Sequence, residues 1–517
     1  MACYHRELCA AVSGAGTAPL LMTSPIPSAL DRVVARTSPH IPTLAVVCVA
    51  IALGGVSVFT PLLGVAAAAA LLTGVAILAY PHGAAPLVAF LLYSNLAAVA
   101  VRYHGVPRPL AAGTILLLAV PVAYRVLLRR ERLVVQPVVP LLMLLGVVQL
   151  CGVLFARQPA DAASGLIALL VEGLGFFLLF TNAVRDEGVL RRTIWALLLA
   201  GLLIGAVPTF QRLTGTFYND YGGLAQVNTT VGTPSTLASI ARAGGPIGDE
   251  NRFAQVMLML LPLGVLCIVN ERGKRRWLAL VATSLTASGF ALAASRGGAV
   301  GLALVLALLP ALGLLSLRKL SWIVLGLLVL AVATPQYRNR LASIANLPHL
   351  FGQGLTEEQE PDGAMKGRAT EMLAAAHVFL DHPLIGVGPG MFPLYSQEYG
   401  NRLGLRRLET NRESHSLYLG IAAENGALGL GLFLWIGGLT LVRLARARRR
   451  CAQLRPELAN TAAAVLVALL LYFATGVFLH FSFQRYFFLM LALAWSVIFV
   501  CDKALAAPHE TAPTERP

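Results

Sequence analysis

TAAAVLVALLLYFATGVFL, from Thr461 to Leu479, carries no Lys, Arg, Asp or Glu. Crossing about 30 Å of hydrocarbon takes about 20 residues of helix. Inside hydrocarbon the backbone must satisfy its own polar groups, so an uncharged run of this length predicts a membrane-spanning helix. Leu44–Tyr80 and Leu133–Phe155 are equally free of these four residue types. Over 517 residues the chain is 57% hydrophobic and 13% charged, whereas soluble domains are about 25% charged. The expected fold is all-α, a polytopic transmembrane helical bundle of about 12–14 spans with a large, partly helical outer loop. Spans are expected near 42–59, 61–80, 84–102, 108–127, 136–156, 164–184, 189–210, 252–270, 276–295, 297–316, 320–336, 416–442, 459–480 and 485–503.

The formal net charge of +15 would suggest nucleic acid in a soluble protein. Here the cations cluster in short loops between apolar runs, which is the signature of topology, so no nucleic-acid partner is expected. Alternate loops hold Arg125, Arg129, Arg130 and Arg132; Arg191 and Arg192; Arg272, Lys274, Arg275 and Arg276; Arg318 and Lys319; and the run from Arg443 to Arg450. The positive-inside rule puts these loops and both termini in the cytoplasm. The long connections 211–251 and 337–414 then face outward, bringing Arg242, Arg296, Arg368 and His415 to one membrane face. Residues 1–40 read as a cytoplasmic disordered tail rather than a signal peptide, 41–505 as the transmembrane domain, and 506–517 as a cytoplasmic tail. The seven cysteines form no paired or metal-spaced set.

Within the loop 337–414, Met372, Ala376 and Phe379 recur at helical spacing away from Glu371 and His377, and Asp381-His382-Pro383 stops the run. This predicts an amphipathic helix against the bilayer surface. Gln353–Gly363 is acidic and punctuated by Gly and Pro, which predicts a mobile stretch.

His415 opens an apolar helix after Arg412-Glu413-Ser414. A water-facing histidine there titrates near neutral pH and can take a proton from a hydroxyl; an interfacial helix-end residue without chemistry is the other reading. Arg296, in the short outer loop Ala294-Ser295-Arg296-Gly297-Gly298, breaks the rule that such loops avoid cations. It either binds an anion or snorkels to headgroups. Asp249 and Asn251 are candidates to cap the helix that follows, which leaves Arg242 unexplained. Gly386-Val387-Gly388-Pro389-Gly390 lacks the strand and helix of a phosphate loop and reads as a tight turn. Glu172 and Glu424 fall inside spans, where a carboxylate is a functional candidate by default. His377, Asp381 and His382 make no metal site.

Three stretches together resemble the O-antigen ligase and O-antigen polymerase family of membrane glycosyltransferases. They are RAGGPIGDENRFA (Arg242–Ala254), SRGG (Ser295–Gly298), and the segment from GRATEMLAAAHVFLDHPLIGVGPGMF at Gly367 through ESHSLYLGIAAENGALG to Gly429. Two positions depart from the family pattern: Glu250 replaces a frequent proline, and Ser416 replaces the asparagine that commonly follows the histidine. The resemblance implies transfer of an undecaprenyl-diphosphate-linked glycan to an acceptor hydroxyl at the periplasmic face of a bacterial inner membrane. In it His415 is the general base, Arg242, Arg296, Arg368 and Arg412 hold the diphosphate, and neither metal nor cofactor takes part. Arginine's planar fork suits a diphosphate whose charge grows as the glycosidic bond breaks. The implied partners are the lipid-linked donor, the bilayer, and an acceptor that is lipid A-core (ligase), glycan (polymerase) or protein (O-oligosaccharyltransferase). A secondary transporter or flippase would instead show repeats and polar groups near the midplane; no repeat is found. A scaffold for an export complex would tolerate loss of Arg296 and His415.

Overall fold

The computed structural model describes residues 73–228, 241–321, 324–325, 363–403, 410–479 and 484–506, all within the compact unit Ala66–Pro517. The expected span 42–59, most of those near 61–80 and 320–336, the tail 1–40, the end of the chain beyond 506 and the stretch 337–362 lie outside the described residues.

Helices stand where the apolar runs predict them. α1 (Ala84–Tyr93) and α2 (Leu96–His104) form one pair bent by 55°. Asn95 at the bend is left-handed, with φ 58, and its amide donates to the Pro246 carbonyl at 2.8 Å. There follow α3 (Arg108–Leu128), α4 (Val139–Leu154), α5 (Pro159–Ala183), α6 (Glu187–Thr214), α7 (Glu250–Asn270), α8 (Gly273–Ala293) and α9 (Arg296–Ala311). After them come α10 (Gly363–Asp381), α11 (Phe392–Leu403), α12 (Leu417–Cys451), α13 (Pro456–Thr475) and α14 (Gln484–Ala506). Among the described residues eight helices are long and apolar enough to cross a membrane, or up to nine if the bent pair is one span. α4 and α9, expected as full spans, are shorter apolar helices. Pro140 at its first turn delays α4, and α9 stops after Pro310, where Gly313 turns left-handed at φ 75.

Burial separates the centre from the rim. The most apolar windows of α7 and α13 are 78% buried against 28% for α3, α5 and α8, so the central helices are apolar all round. Glycines bring α6, α7 and α8 close, as small residues do between membrane helices: a Cβ at Gly205 would lie 2.3 Å from the Leu285 carbonyl oxygen.

The loops expected on one side meet at one end of the bundle. There Arg125 pairs with Asp186 and, at 3.2 Å, with Glu131; Lys503 reaches Asp186 at 2.8 Å, Arg450 reaches Asp502 at 2.7 Å, and Arg191 holds Glu271 at 2.7 Å. Burial pushes the Asp186 carboxyl up, but hydrogen bonds from Lys503 and Arg125 outweigh it and hold it down at about 2.

The opposite end carries structure that the sequence does not announce. β1 (Gln226–Asn228) and β2 (Arg242–Gly245) form an antiparallel ribbon pairing Val227 with Ala243. α10 exists as expected, and a second face of it packs on protein. Thr370, Glu371, Ala374, Ala375 and Val378 turn inward, while Met372, Ala376 and Phe379 are half-buried. The small side chains of that inward face let α10 approach protein closely, and it packs on α11 and α12.

α12 is broken. Gly426 has φ 64 and ψ −167 inside it, and the turn after α10 fills the break. Val387 N–H donates to the Ala423 carbonyl at 3.0 Å and Gly388 N–H to that of Glu424 at 3.0 Å, while Ala427 N–H donates to the Pro383 carbonyl at 2.7 Å. Irregular backbone in a membrane helix needs such partners. The glycine run 386–390 is therefore a tight turn, as expected, and one that clamps a helix break.

Candidate functional site

Two groups of polar side chains meet at the first turn of α7. Asp249 caps this helix, accepting from Asn251 N–H at 2.9 Å and Arg252 N–H at 2.8 Å. Asn251 does not cap. Already inside the helix, it turns its amide oxygen to the Ser295 hydroxyl at 2.9 Å and to Arg242 at 3.2 Å. Arg242 also donates to the Ala293 carbonyl at 3.0 Å and pairs with Glu250. Its fork thus ties β2, α7 and the end of α8 together, a structural task, and Glu250 supplies the countercharge where the resembling family often has proline.

Ser295 caps α9 by accepting from Gly298 N–H at 3.3 Å, which fixes Arg296 at the first helical position. The loop abuts the turn after α13: a Cβ at Gly297 would lie 3.8 Å from Phe478 Cβ. One turn away, Leu417 N–H donates to the Gly476 carbonyl at 2.8 Å.

The second group surrounds His415. This residue is left-handed, φ 50, a conformation uncommon outside glycine. The Ser414 hydroxyl donates to the Ser416 carbonyl at 2.8 Å, and both serines are buried. The turn thereby presents the imidazole to α10, where His415 Nε2 lies 3.2 Å from Glu371 Oε2. The Glu371 side chain is 6% exposed and that of His415 29%. Burial, then the charge of Arg368, pull the His415 imidazole down to about 4; Asp249 acts the other way, and Arg252 and Arg412 add to the fall. Arg252 also pairs with Glu413.

Of the expected residues, the structure brings Arg368 and Arg412 to His415 and joins Arg242 to the Ser295 loop that carries Arg296. Ser416 is buried, 2% exposed. His377 is exposed, and the His382 ring lies 6.1 Å from that of Tyr395, so neither joins the site. Among the described residues no three His, Cys, Asp or Glu side chains are grouped to hold a metal ion. Glu371, Arg252, Gln149 and Arg485 were not singled out from the sequence. The available signal for Glu371 was a carboxylate one helical turn after Arg368 in an alanine-rich stretch.

Beside the His415 loop opens a cavity of about 480 Å³ between α4, α5, α12 and α14, whose lining includes Glu413, Leu417, Glu424 and Glu172. Both in-span carboxylates noted in the sequence thus reach one space.

Spanning helices around a polar site at one end define a multi-pass helical membrane protein. Residues 278–434 match the family model described as O-Antigen ligase. It contains Ser295–Gly298, Arg368, Glu371 and His415; Arg242 and Asp249–Arg252 lie upstream of it. No curated protein matches the chain.

Proposed function

We propose that this protein transfers an undecaprenyl-diphosphate-linked glycan to an acceptor hydroxyl, in the manner of an O-antigen ligase, at the periplasmic face of a bacterial inner membrane, through the domain 41–505. One observation carries the reading: a buried-carboxylate–imidazole pair, Glu371 and His415, ringed by Arg368, Arg252 and Arg412.

At neutral pH His415 is uncharged and available as a base. The Glu371 carboxylate, 3.2 Å from Nε2, leaves the Nδ1 lone pair for the acceptor proton and stabilises the imidazolium that results. The acceptor oxygen attacks the anomeric carbon as its bond to the diphosphate oxygen breaks, with inversion. The electron pair leaves with the diphosphate, where Arg368, Arg252 and Arg412, with Arg296, meet the growing charge. Bound diphosphate neutralises the cations that hold the imidazole pKa down, so the donor itself makes His415 a stronger base.

The broken helix α12 does not favour a transporter. Its freed backbone groups bond to residues 383–388, leaving none of those groups to coordinate an ion.

The test is His415→Ala in proteoliposomes, followed by transfer from a lipid-diphosphate donor. Full transfer rejects the mechanism. Surface glycans after deletion separate the acceptors: unattached long polymer indicates a ligase, single repeats a polymerase, and loss of protein-linked glycan an O-oligosaccharyltransferase.

A further inference from the structure

We propose that the cavity beside the His415 loop is a subsite for a hydroxyl-bearing sugar of the acceptor; this rests on the glycan-transfer reading above. Its volume of about 480 Å³ falls within the range of about 300–1,000 Å³ typical of small-molecule sites. Glu413 and Leu417, which flank the His415 turn, are part of its wall, so a group bound there stands beside the base.

The wall leaves two buried acceptors unmet. Gln149 and Asn425 line it and are 4% and 5% exposed, yet the side-chain oxygen of each has no hydrogen-bond partner. The Asn425 amide nitrogen donates to the Ile421 carbonyl at 3.5 Å, so the oxygen is the atom left over. Buried polar atoms without partners are uncommon in native proteins and call for an explanation. The Glu424 carboxylate accepts from Phe392 N–H at 3.4 Å and keeps lone pairs to offer. Glu172 reaches the same space from the π-helical turn Leu169–Gly175 of α5, a local geometry that recurs at functional sites.

This chemistry selects the occupant. A sugar hydroxyl supplies the donors that the two amide oxygens and two carboxylates need, and the apolar face of its ring fits against aromatic walls such as Tyr472 and Phe487. A hydrocarbon chain would leave the oxygens of Gln149 and Asn425 unmet. A diphosphate would meet Glu172, Glu413 and Glu424, and the guanidinium groups of Arg252, Arg368 and Arg412 are not in this lining. The lining does hold Arg485, which lies over the Tyr486 ring at 5.8 Å. Donor phosphates and acceptor sugar thus have separately built surroundings about one imidazole.

The experiment uses the full chain in detergent micelles, with methyl glycosides of hexoses as probes and saturation-transfer NMR as readout. Glycosides are expected to bind the unmodified protein, Gln149→Leu to weaken binding about tenfold, as loss of one buried hydrogen bond does, and Gln149→Glu to restore it. In the transfer assay Gln149→Leu and Asn425→Ala should each raise the acceptor KM while leaving the donor KM unchanged. Glycoside binding that depends on Gln149, in a protein that transfers nothing from a diphosphate donor, would uphold the subsite and reject the transfer reading. Transfer with unchanged acceptor KM in both variants would overturn the subsite and leave the transfer reading standing. Displacement of the probes by a polyprenol but not by an acceptor glycan would assign the cavity to lipid and overturn it too.

Discussion

The imidazole of His415 and the carboxylate of Glu371, 3.2 Å apart, come from the turn before α12 and from α10, separated in the chain by α11 and the turn that clamps α12. Replacing Glu371 with Gln keeps its size and removes its charge. Steady-state transfer kinetics should show kcat reduced about 10²-fold, the scale of oriented acid–base catalysis, with donor KM little changed. An unchanged kcat would remove Glu371 from the mechanism.

The charges around His415 set a pH dependence. Its pKa of about 4 in the free protein means that kcat/KM should hold as pH falls from 7 and be lost only as pH passes through about 4. The limb in kcat, which reports the donor-bound state, should sit higher. Arg368→Gln removes the largest charge effect and should move the kcat/KM limb up towards 6.5, the ordinary histidine value. A limb already at 6.5 in the unmodified protein would contradict this electrostatic picture.

Gly426 should tolerate no side chain. Its φ is +64, and a Cβ there would lie 2.2 Å from the Leu384 carbonyl carbon and oxygen. Gly426→Ala must push the clamping turn out of α12, which should cost about 2–4 kcal/mol. A thermal-unfolding midpoint equal to that of the unmodified protein in the same detergent would refute the clamp.

At the other end of the bundle, Asp186 should matter for stability and not for chemistry. Its folded pKa, about 2, lies below the unfolded value, so its contribution is complete above about pH 4 and lost as pH falls through 2. Asp186→Asn leaves Arg125, 9% exposed in its side chain, with Glu131 alone. The expected loss is about 1–2 kcal/mol at neutral pH, fading in acid, with transfer kinetics unaltered; a changed kcat would count against this separation.

Arg242 offers a test of structure against binding. Its hydrogen bonds reach Ala293, Asn251 and Glu250, and lysine cannot reproduce that fork. Arg242→Lys should lower the unfolding midpoint. A normal midpoint with a raised donor KM would instead place Arg242 on the diphosphate.

From residue order alone the helical class, the positions of the described spans and the segregation of loop cations to one end could be read. The cost of charge in hydrocarbon acts on each segment by itself, so a run such as Thr461–Leu479 needs no neighbour to declare its place. The family resemblance of 278–434 was likewise carried by local strings, SRGG and ESHSLYLG. What only the tertiary structure decided was partnership. Met372, Ala376 and Phe379 read as the bilayer-facing side of α10 and are half-buried, while Ala374 and Ala375, which no periodicity marked, carry its packing on the protein. Asn251 looked like a cap, but Ser295 and Arg242 claim its oxygen. Glu371 beside His415, Arg252 beside Glu413, and the unmet oxygens of Gln149 and Asn425 arise from contacts between segments far apart in the chain, and such contacts leave no periodic trace along it.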